Sequence, residues 1–421
     1  MAVRVTGLLL AFVSHIVLSR SLGAHQYGYY VIALGWAMVL VIPSRLGLDT
    51  SVLRFATVYR QERQDADFRG LVIFSLGLIG TLSLLIAGSM VVMRLSGLGP
   101  LQTIELPLIV GMSMLIPSLA VLGWISSLLR TANHIFASQF YDQALRPTLL
   151  IGAVGVMVLV GQELTANLAM MLTGLTIGIA TVAIAVHARI SFGTVPVVSP
   201  SFEHRREWMS VSWVLFLMAA VQELLNQVDL ILLGVFGDAT QAAHFAAAWR
   251  LSSLVPFGLV AIATVSAPLV ASAYNRGDLS EIARIARLGS RLSTLFAIVI
   301  VVGLAAAGKW ALGLFGPGFE AANPALLIML AGGLVNSFTG TVGYLLIMTG
   351  RQQSAFWILL ASLLLSIVVN VMLIPRYGAV GSSIASTLAL SAWNLGMAFH
   401  VRRQIGLDAT ALGRSPKPPS K

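Results

Sequence analysis

The sequence of 421 residues contains no cysteine and few charged residues. The absence of cysteine excludes disulfide bonds and thiolate metal sites, but it does not identify the cellular compartment. Only 10% of the residues are charged, whereas a soluble domain normally carries about a quarter. Because 57% are hydrophobic and the mean hydropathy is +0.89, we predict an all-α integral membrane protein. A transmembrane barrel would show alternating patterns rather than long apolar runs.

The usual patterns of metal, nucleotide and nucleic-acid sites are also missing. The seven histidines are scattered without metal-ligand spacing, and no glycine-rich loop precedes a Lys-Ser or Lys-Thr pair. The net charge of +10 is not accompanied by a segment that resembles a soluble domain. We therefore expect no metal ion, no nucleotide cofactor and no nucleic-acid partner.

Apolar segments that are long enough to cross a bilayer, about 20 residues each, occur about twelve times. We predict spans at 2–19, 27–57, 70–93, 106–129, 138–160, 165–189, 209–235, 241–273, 288–308, 324–348, 354–374 and 379–401. The segment between the sixth and seventh spans is rich in proline, serine and charge. This pattern predicts an N-terminal six-helix bundle (1–190), a cytoplasmic linker (191–208), a C-terminal six-helix bundle (209–402) and a basic cytoplasmic tail (403–421).

The basic residues predict the orientation. With the N-terminus in the cytoplasm, only four of them fall on the opposite side: Arg20, Arg94, Lys309 and Arg376. Four more fall within spans: Arg45, Arg54, Arg146 and Arg250. All the others fall in cytoplasmic segments, where basic residues of membrane proteins gather. Both termini are therefore predicted to be cytoplasmic.

Three short motifs recur in the second half of the chain at a nearly constant offset. Residues 22–24 align with 236–238, residues 58–61 with 273–276, and residues 128–133 with 345–350. Because each predicted half has an even number of spans, the halves would share one orientation. This pattern predicts a parallel internal repeat, an arrangement in which substrate sites lie between the halves near the middle of the membrane.

Ionisable side chains inside a membrane are costly unless they are paired or wet. Arg45 and Asp49 are four residues apart, as are Asp142 and Arg146, so each pair can meet on one face of a helix. Arg54 would lie on the opposite side of that helix from Arg45, roughly 180° around its axis. The sequence therefore predicts two ion pairs within spans.

The seventh predicted span carries a polar stripe. Gln222, Asn226 and Asp229 follow one another at i, i+4 and i+7 and so share a face. Glu223 lies beside this stripe. Arg250 has no acidic residue on its own predicted span, so Asp229 or Glu223 is its candidate partner.

The sequence resembles the polysaccharide-transporter proteins, the O-antigen-type flippases of the MOP superfamily. The resemblance covers essentially the whole chain and rests on these segments: 19–24, 27–29, 46–49 with Arg54, 228–234, 248–250 and 375–381. It implies a MOP or MATE-like fold. It also implies that the chain moves undecaprenyl-pyrophosphate-linked oligosaccharides across the bacterial inner membrane by alternating access.

The resemblance also implies a site, because the related lipid II flippases place arginines in the cavity between the halves. Arg45 and Arg250 look similar in position to two of those arginines. Together with the paired and striped polar residues described above, they give the predicted cavity residues: Arg45, Arg146, Arg250, Asp49, Gln222 and Asn226. The candidate coupling carboxylates are Asp49, Glu223 and Asp229, and the sequence does not choose among a proton, Na⁺ and the membrane potential as the driving force. In a second interpretation, the same arginines and acids only hold helices together. The two extra C-terminal helices of lipid II flippases are absent from the pattern.

Two other functions compete with this interpretation. A MATE-like cation-coupled exporter of small molecules would predict an acidic, aromatic cavity. A membrane enzyme, such as a polysaccharide polymerase or ligase, usually has a large outer loop, and the longest predicted outer loop (309–323) offers only Lys309 and Glu320 as reactive groups. We therefore predict transport and no catalytic residues. The expected partners are the lipid-linked glycan, membrane lipids and polysaccharide polymerase or other assembly proteins.

Overall fold

The computed structural model describes residues 2–97, 104–192, 198–276, 278–348, 351–406, 408 and 410–413. Its helices are α1 (Ala2–Arg45), α2 (Leu48–Gln61), α3 (Asp65–Leu95), α4 (Leu106–Thr131), α5 (Ile135–Gln139), α6 (Arg146–Leu159), α7 (Ala166–Phe192), α8 (Arg205–Phe236), α9 (Ala239–Ser252), α10 (Phe257–Asn275), α11 (Leu279–Gly313), α12 (Asn323–Thr339), α13 (Val342–Met348) and α14 (Gln352–Ile405). A π-helical turn (Phe140–Leu145) joins α5 to α6, and a 3₁₀ turn (Phe319–Ala322) precedes α12. The predicted all-α class is confirmed.

Nine helical segments within the described residues are long and apolar enough to cross a membrane. Among these segments, α4 is the most enclosed by the rest of the protein, with Leu115, Ile116 and Leu122 completely or almost completely buried. The long apolar segments make the chain a multi-pass membrane protein, as its composition predicted.

The first of these segments, in α1, turns back on itself. At Gly23 the backbone leaves the helical region, with φ 70° and ψ 167°. Residues twelve apart in a continuous helix are separated by about 18 Å, yet His15 Nδ1 lies 3.0 Å from the Tyr27 hydroxyl oxygen. Helix α1 is therefore a hairpin with one limb before Gly23 and one limb after it.

Helix α14 contains a second hairpin of the same kind. Gly378 has φ 53° and ψ −128°. The Ser382 hydroxyl donates to Asn370 Oδ1 at 2.8 Å, although these residues are twelve apart. Each hairpin has two limbs, and these correspond to two consecutive predicted spans. The total of about twelve spans stays a prediction.

Three predicted spans are interrupted, so the prediction that each is one continuous helix is wrong. The span predicted at 27–57 stops at the end of α1 and resumes as α2. The spans predicted at 241–273 and 324–348 are divided between α9 and α10 and between α12 and α13. Hydropathy is averaged over a window, so it does not detect a short stretch of non-helical backbone.

Two of these interruptions occur at glycines with left-handed backbone angles. Gly47 has φ 73°, and a Cβ atom at this position would overlap the Ser212 carbonyl oxygen of α8. Gly340 has φ 70°, and a Cβ atom would overlap the Ser290 hydroxyl of α11. A side chain at either position would therefore meet both backbone strain and a steric clash.

The chain forms two compact units, residues 1–227 and residues 228–421. The division falls inside α8, after the predicted linker at 191–208. The described part of that linker packs on the first unit: the Ser201 N–H donates to the Ala66 carbonyl at 3.0 Å, and Arg69 donates to the Val198 carbonyl at 2.7 Å. Residues 193–197 of the predicted linker and 414–421 of the predicted tail lie outside the described residues. The predicted domain limits stay a prediction.

Each unit contains the same type of helix-end hydrogen bond. In the first unit, Gln26 Oε1 accepts from the Ala166 N–H at 2.9 Å, at the start of α7. In the second, Gln241 Oε1 accepts from the Ala379 N–H at 2.9 Å, at the start of the second limb of α14. In both cases a glutamine satisfies an N–H group that lacks a partner within its own helix. An internal repeat would place these bonds at corresponding positions. The repeat itself stays a prediction, and residues 349 and 350 of one of its motifs lie outside the described residues.

Candidate functional site in the membrane-spanning helices

Arg45 and Asp49 form the first predicted ion pair. Arg45 Nη1 lies 3.5 Å from Asp49 Oδ2, and the side chains are 26% and 22% exposed. The pairing is therefore confirmed, but the single helix assumed for it is wrong. Arg45 is the last residue of α1 and Asp49 lies in the first turn of α2, where the N-terminal end of the helix dipole favours a negative charge.

Helix α4 holds the Arg45 side chain from another side. Arg45 Nη2 donates a hydrogen bond to the Leu119 carbonyl. The guanidinium lies directly against Gly123, because a Cβ atom at Gly123 would be only 2.7 Å from Arg45 Cζ. Arg45 Nε is buried and has no hydrogen-bond partner among the described residues. The side chain is thus held in one place while one donor remains unused. Sequence reasoning missed Gly123, since glycines are common in apolar helices.

Arg54 lies beyond the interruption, in the middle of α2. Its side chain is exposed, and its guanidinium lies 5.6 Å from the centre of the Phe55 ring. The predicted angle of roughly 180° between Arg45 and Arg54 assumed one continuous helix, and it does not apply across the break at Gly47.

Asp142 and Arg146 form the second predicted pair, at 3.0 Å with a hydrogen bond from Nη1 to Oδ1. Asp142 lies in the π-helical turn, and Arg146 is the first residue of α6. Pro147 follows immediately and has no N–H to donate, which favours irregular helical geometry at this point. Arg146 is 26% exposed, and its Nε is buried without a partner among the described residues. Both pairs therefore lie at helix irregularities and leave an arginine donor unused.

The residues of the predicted polar stripe on α8 differ in how far their side chains are exposed. Gln222 is half-buried and Asn226 is exposed, whereas Asp229 is buried at 4% exposure. Glu223 is half-buried and accepts a hydrogen bond from Gln227 at 2.8 Å. The amides of Gln222 and Asn226 are thus accessible, and the carboxylate at the end of the stripe is enclosed.

Asp229 is bound by neutral side chains of α14. Asn370 Nδ2 donates to Asp229 Oδ1 at 2.7 Å, and the Ser366 hydroxyl lies 3.4 Å from the same oxygen. Asn370 also accepts the Ser382 hydroxyl across the α14 hairpin. Asn370, Ser366 and Ser382 are all buried. A buried carboxylate among polar neutral side chains is costly, and costly polar groups within membranes are commonly functional.

Sequence reasoning missed this cluster because it considered charged residues first. Ser366 and Asn370 are four residues apart in an otherwise apolar segment. That spacing places them on one helical face, so the pattern was visible in the sequence. The sequence did not show that Asp229 of α8 meets these two residues.

Arg250 lies in the last turn of α9 and is half-buried, with its guanidinium 5.1 Å from the centre of the Trp249 ring. Asp229 accepts hydrogen bonds from Ser366 and Asn370 of α14, and its pairing with Arg250 stays a prediction. Glu223 as the partner of Arg250 stays a prediction. The participation of these residues in one cavity stays a prediction as well.

Two protein-family models match parts of this chain. A family model described as "Polysaccharide biosynthesis protein" matches residues 1–273, more than half of the chain. The chain belongs to the polysaccharide biosynthesis protein family. The MatE family model matches residues 215–372, in the second half of this polysaccharide biosynthesis protein.

Two curated relatives of this polysaccharide biosynthesis protein come from Haloferax volcanii. "Probable flippase AglR" is 27% identical over 167 residues, which is 39% of this chain and 35% of the relative. "Probable low-salt glycan biosynthesis flippase Agl15" is 22% identical over 193 residues, which is 46% of this chain and 41% of the relative. The matched region therefore spans less than half the length of either relative.

Solved structures of the MOP superfamily share the fold. The structure of a lipid II flippase, MurJ, in an inward closed conformation matches with a TM-score of 0.75 at 14% identity. The match covers 95% of this chain and 87% of the MurJ chain. A multidrug resistance MATE family transporter in an inward-facing conformation has a TM-score of 0.74 at 12% identity and covers 95% and 94%. At these identities the likeness establishes the fold, which confirms the predicted MOP or MATE-like class.

Proposed function

We propose that the protein is a flippase that moves undecaprenyl-pyrophosphate-linked oligosaccharide across the bacterial inner membrane by alternating access, with both termini in the cytoplasm. Its membership of the polysaccharide biosynthesis protein family carries this proposal. The names of the relatives, "Probable flippase AglR" and "Probable low-salt glycan biosynthesis flippase Agl15", support it.

The geometry of Arg45 and Arg146 supports a phosphate-binding role. Each guanidinium is held by a carboxylate four residues away, and each keeps about a quarter of its side chain exposed. A charge exposed to hydrocarbon is strongly unfavourable, so these exposed faces require water or an anionic ligand. The planar guanidinium presents two parallel donors to a phosphate, which a lysine does not. Arg250 is a further candidate for substrate binding in the second unit, and the amides of Gln222 and Asn226 are candidates for contacts with sugar hydroxyls.

The structural interpretation of the same pairs predicts a different experimental result. If the pairs only joined helices, replacing an arginine would lower protein stability and leave the transport rate of the remaining folded protein unchanged. Ion pairs that are partly withdrawn from water stabilise poorly in comparison with apolar packing. This comparison favours a role in substrate binding.

The test uses a strain that lacks the native gene and expresses variants at matched membrane levels. We expect Arg250→Ala and Arg146→Ala to abolish surface polysaccharide and to accumulate undecaprenyl-linked glycan on the cytoplasmic leaflet. Arg54→Ala is the matched control, because its exposed side chain lies outside the proposed site, and it should give normal output. Normal polysaccharide with Arg146→Ala and Arg250→Ala would refute the assignment of these arginines. Normal output without the gene itself would refute the function.

We also propose that Asp229 is the coupling carboxylate, carrying either a proton or Na⁺. The oxygen atoms of Asp229, Ser366, Ser382 and Asn370 are gathered in one buried cluster, and hard cations such as Na⁺ prefer oxygen ligands. Asp229→Asn keeps the shape of the side chain but removes its charge. We expect it to abolish transport while raising the thermal stability, since a buried charge is removed. Asp49 and Glu223 remain the alternative coupling groups if transport survives.

A MATE-like cation-coupled exporter of small molecules is the second candidate. The match of the MatE model to residues 215–372 favours it, since this region includes Asp229, Ser366 and Asn370. An exporter would lower the cellular accumulation of a fluorescent cationic dye, and its deletion would leave the undecaprenyl-linked glycans unchanged. Accumulation of the glycan with unaltered dye efflux would exclude this function.

A further inference from the structure

The last described residues fold back onto the second unit instead of extending away from α14. Helix α14 ends at Ile405, and the following Gly406, with a φ of 71°, turns the chain, as glycine commonly does after a helix. Asp408 Oδ1 then accepts hydrogen bonds from the Thr410 N–H at 3.1 Å and from the Thr410 hydroxyl at 2.7 Å. The Gly413 N–H donates to the Thr410 carbonyl at 2.9 Å. We name residues 408 and 410–413 the C-terminal strap.

Two hydrogen bonds attach the C-terminal strap to other helices. The Ala411 N–H donates to the Phe338 carbonyl of α12 at 3.1 Å, and Arg291 Nε of α11 donates to the Ala411 carbonyl at 3.0 Å. One residue of the strap therefore connects the end of α12 to the side of α11. Gly413, at the end of the strap, is buried.

The end of α12 needs such a partner because the helix stops at Thr339. The last carbonyl groups of a helix lack partners in a following turn. The Ser337 carbonyl accepts from the Ser293 hydroxyl at 3.0 Å and the Thr294 hydroxyl at 3.2 Å, both of α11. The Phe338 carbonyl takes its hydrogen bond from the strap. The strap thus completes the set of hydrogen bonds that joins the end of α12 to α11.

We propose that the C-terminal strap is an intramolecular latch that holds the break between α12 and α13 closed against α11. Opening the end of α12 separates it from α11 and requires that the Ala411 hydrogen bonds break. A buried carbonyl that loses its partner is unfavourable, so the attached strap makes opening rare. Interrupted helices commonly line the substrate and ion sites of membrane transporters, and the latch sets how often this interruption opens.

The natural absence of cysteine allows a direct test. Ser337 is completely buried, and its hydroxyl has no hydrogen-bond partner among the described residues. Ser337→Cys therefore provides a reporter thiol of similar size without the loss of a hydrogen bond. The rate of its reaction with a hydrophilic maleimide, measured on purified protein, reports opening at the end of α12.

The reporter is compared in three chains: full length, a deletion of 408–421, and a deletion of 414–421 that leaves the strap. We expect the first deletion to accelerate labelling by about tenfold or more, as the loss of two hydrogen bonds implies. The second deletion should leave the rate unchanged. Equal rates in all three chains would overturn the proposal. An equal acceleration by both deletions would also overturn it, because the effect would then belong to the tail beyond the strap.

A point variant in the full-length reporter keeps the test valid if the first deletion does not fold. Arg291→Ala removes the donor to Ala411 and should accelerate labelling several-fold. Arg284→Ala is the matched control, since Arg284 lies two turns earlier on α11 and pairs with Glu281 rather than with the strap. An unchanged rate with Arg291→Ala, or the same acceleration with both variants, would contradict the latch.

Discussion

A single methyl group at Gly123 would displace the Arg45 guanidinium while keeping its charge. An ideal Cβ atom at Gly123 would lie 2.7 Å from both Cζ and Nη2 of Arg45, whereas non-bonded heavy atoms are most favourable at about 3.5–4.0 Å. The obstructed atoms belong to the end of a flexible side chain. In Gly123→Ala we therefore expect the guanidinium to move and α4 to keep its position.

The expected effect on folding is small. Displacement removes the hydrogen bond from Arg45 to the Leu119 carbonyl, and hydrogen bonds to charged groups contribute about 1.5–3 kcal/mol. Alanine in place of glycine within a helix restores about 0.5–1 kcal/mol. The net loss of stability is then about 0.5–2.5 kcal/mol. If Arg45 binds the phosphate from its observed position, the lost contact is of similar size, and transport falls about tenfold for each 1.4 kcal/mol.

Surface polysaccharide, normalised to folded protein in the membrane, is the measurement for Gly123→Ala. Gly88→Ala in α3 is the matched control, because a Cβ atom at Gly88 would meet no atom within 4 Å. Normal output from Gly123→Ala, with the protein folded and the guanidinium shown to be displaced, would refute the idea that the position of Arg45 determines transport.

Three further predictions test other parts of the structure. Arg45→Lys should reduce polysaccharide output although the positive charge remains, because an ammonium group cannot form the bidentate contact; full output would favour a purely structural pair. Trp208→Phe should lower the free energy of unfolding by about 1–3 kcal/mol, since it leaves the buried Tyr59 hydroxyl without the 2.9 Å hydrogen bond from the indole N–H. The melting temperature of the purified variant measures this effect. At the start of α11, the hydrogen bond from the Ser280 hydroxyl is the main cause that lowers the pKa of Asp278 below its ordinary value. The exposed Asp278 carboxylate should therefore stabilise α11 fully above its pKa in the unfolded chain, about 3.9. This stabilisation should be lost as the pH falls through the lower pKa that Asp278 has in the folded protein. Hydrogen exchange at the start of α11 should show that dependence in the native chain and not in Asp278→Ala.

Several features of this protein followed from its sequence alone. Long apolar runs and the scarcity of charge predicted a multi-pass helical membrane protein, because no other class can bury so much apolar surface with so few charges. The four-residue spacing predicted the pairs Arg45–Asp49 and Asp142–Arg146, which the structure confirms. Both predictions depend on composition or on neighbours within about one helical turn, and such information is contained in a short stretch of sequence.

Other features were decided only by tertiary structure. The interruption after Arg45 depends on the close approach of α8 to Gly47, and the place of the Arg45 guanidinium depends on the missing side chain at Gly123. Asp229 lies far along the chain from Asn370, so no local pattern could show that they share a hydrogen bond. Hydropathy measures the transfer of a segment into the membrane, which is a local sum. The partner of a buried polar group is set by which helices meet, and that choice depends on the packing of the whole unit.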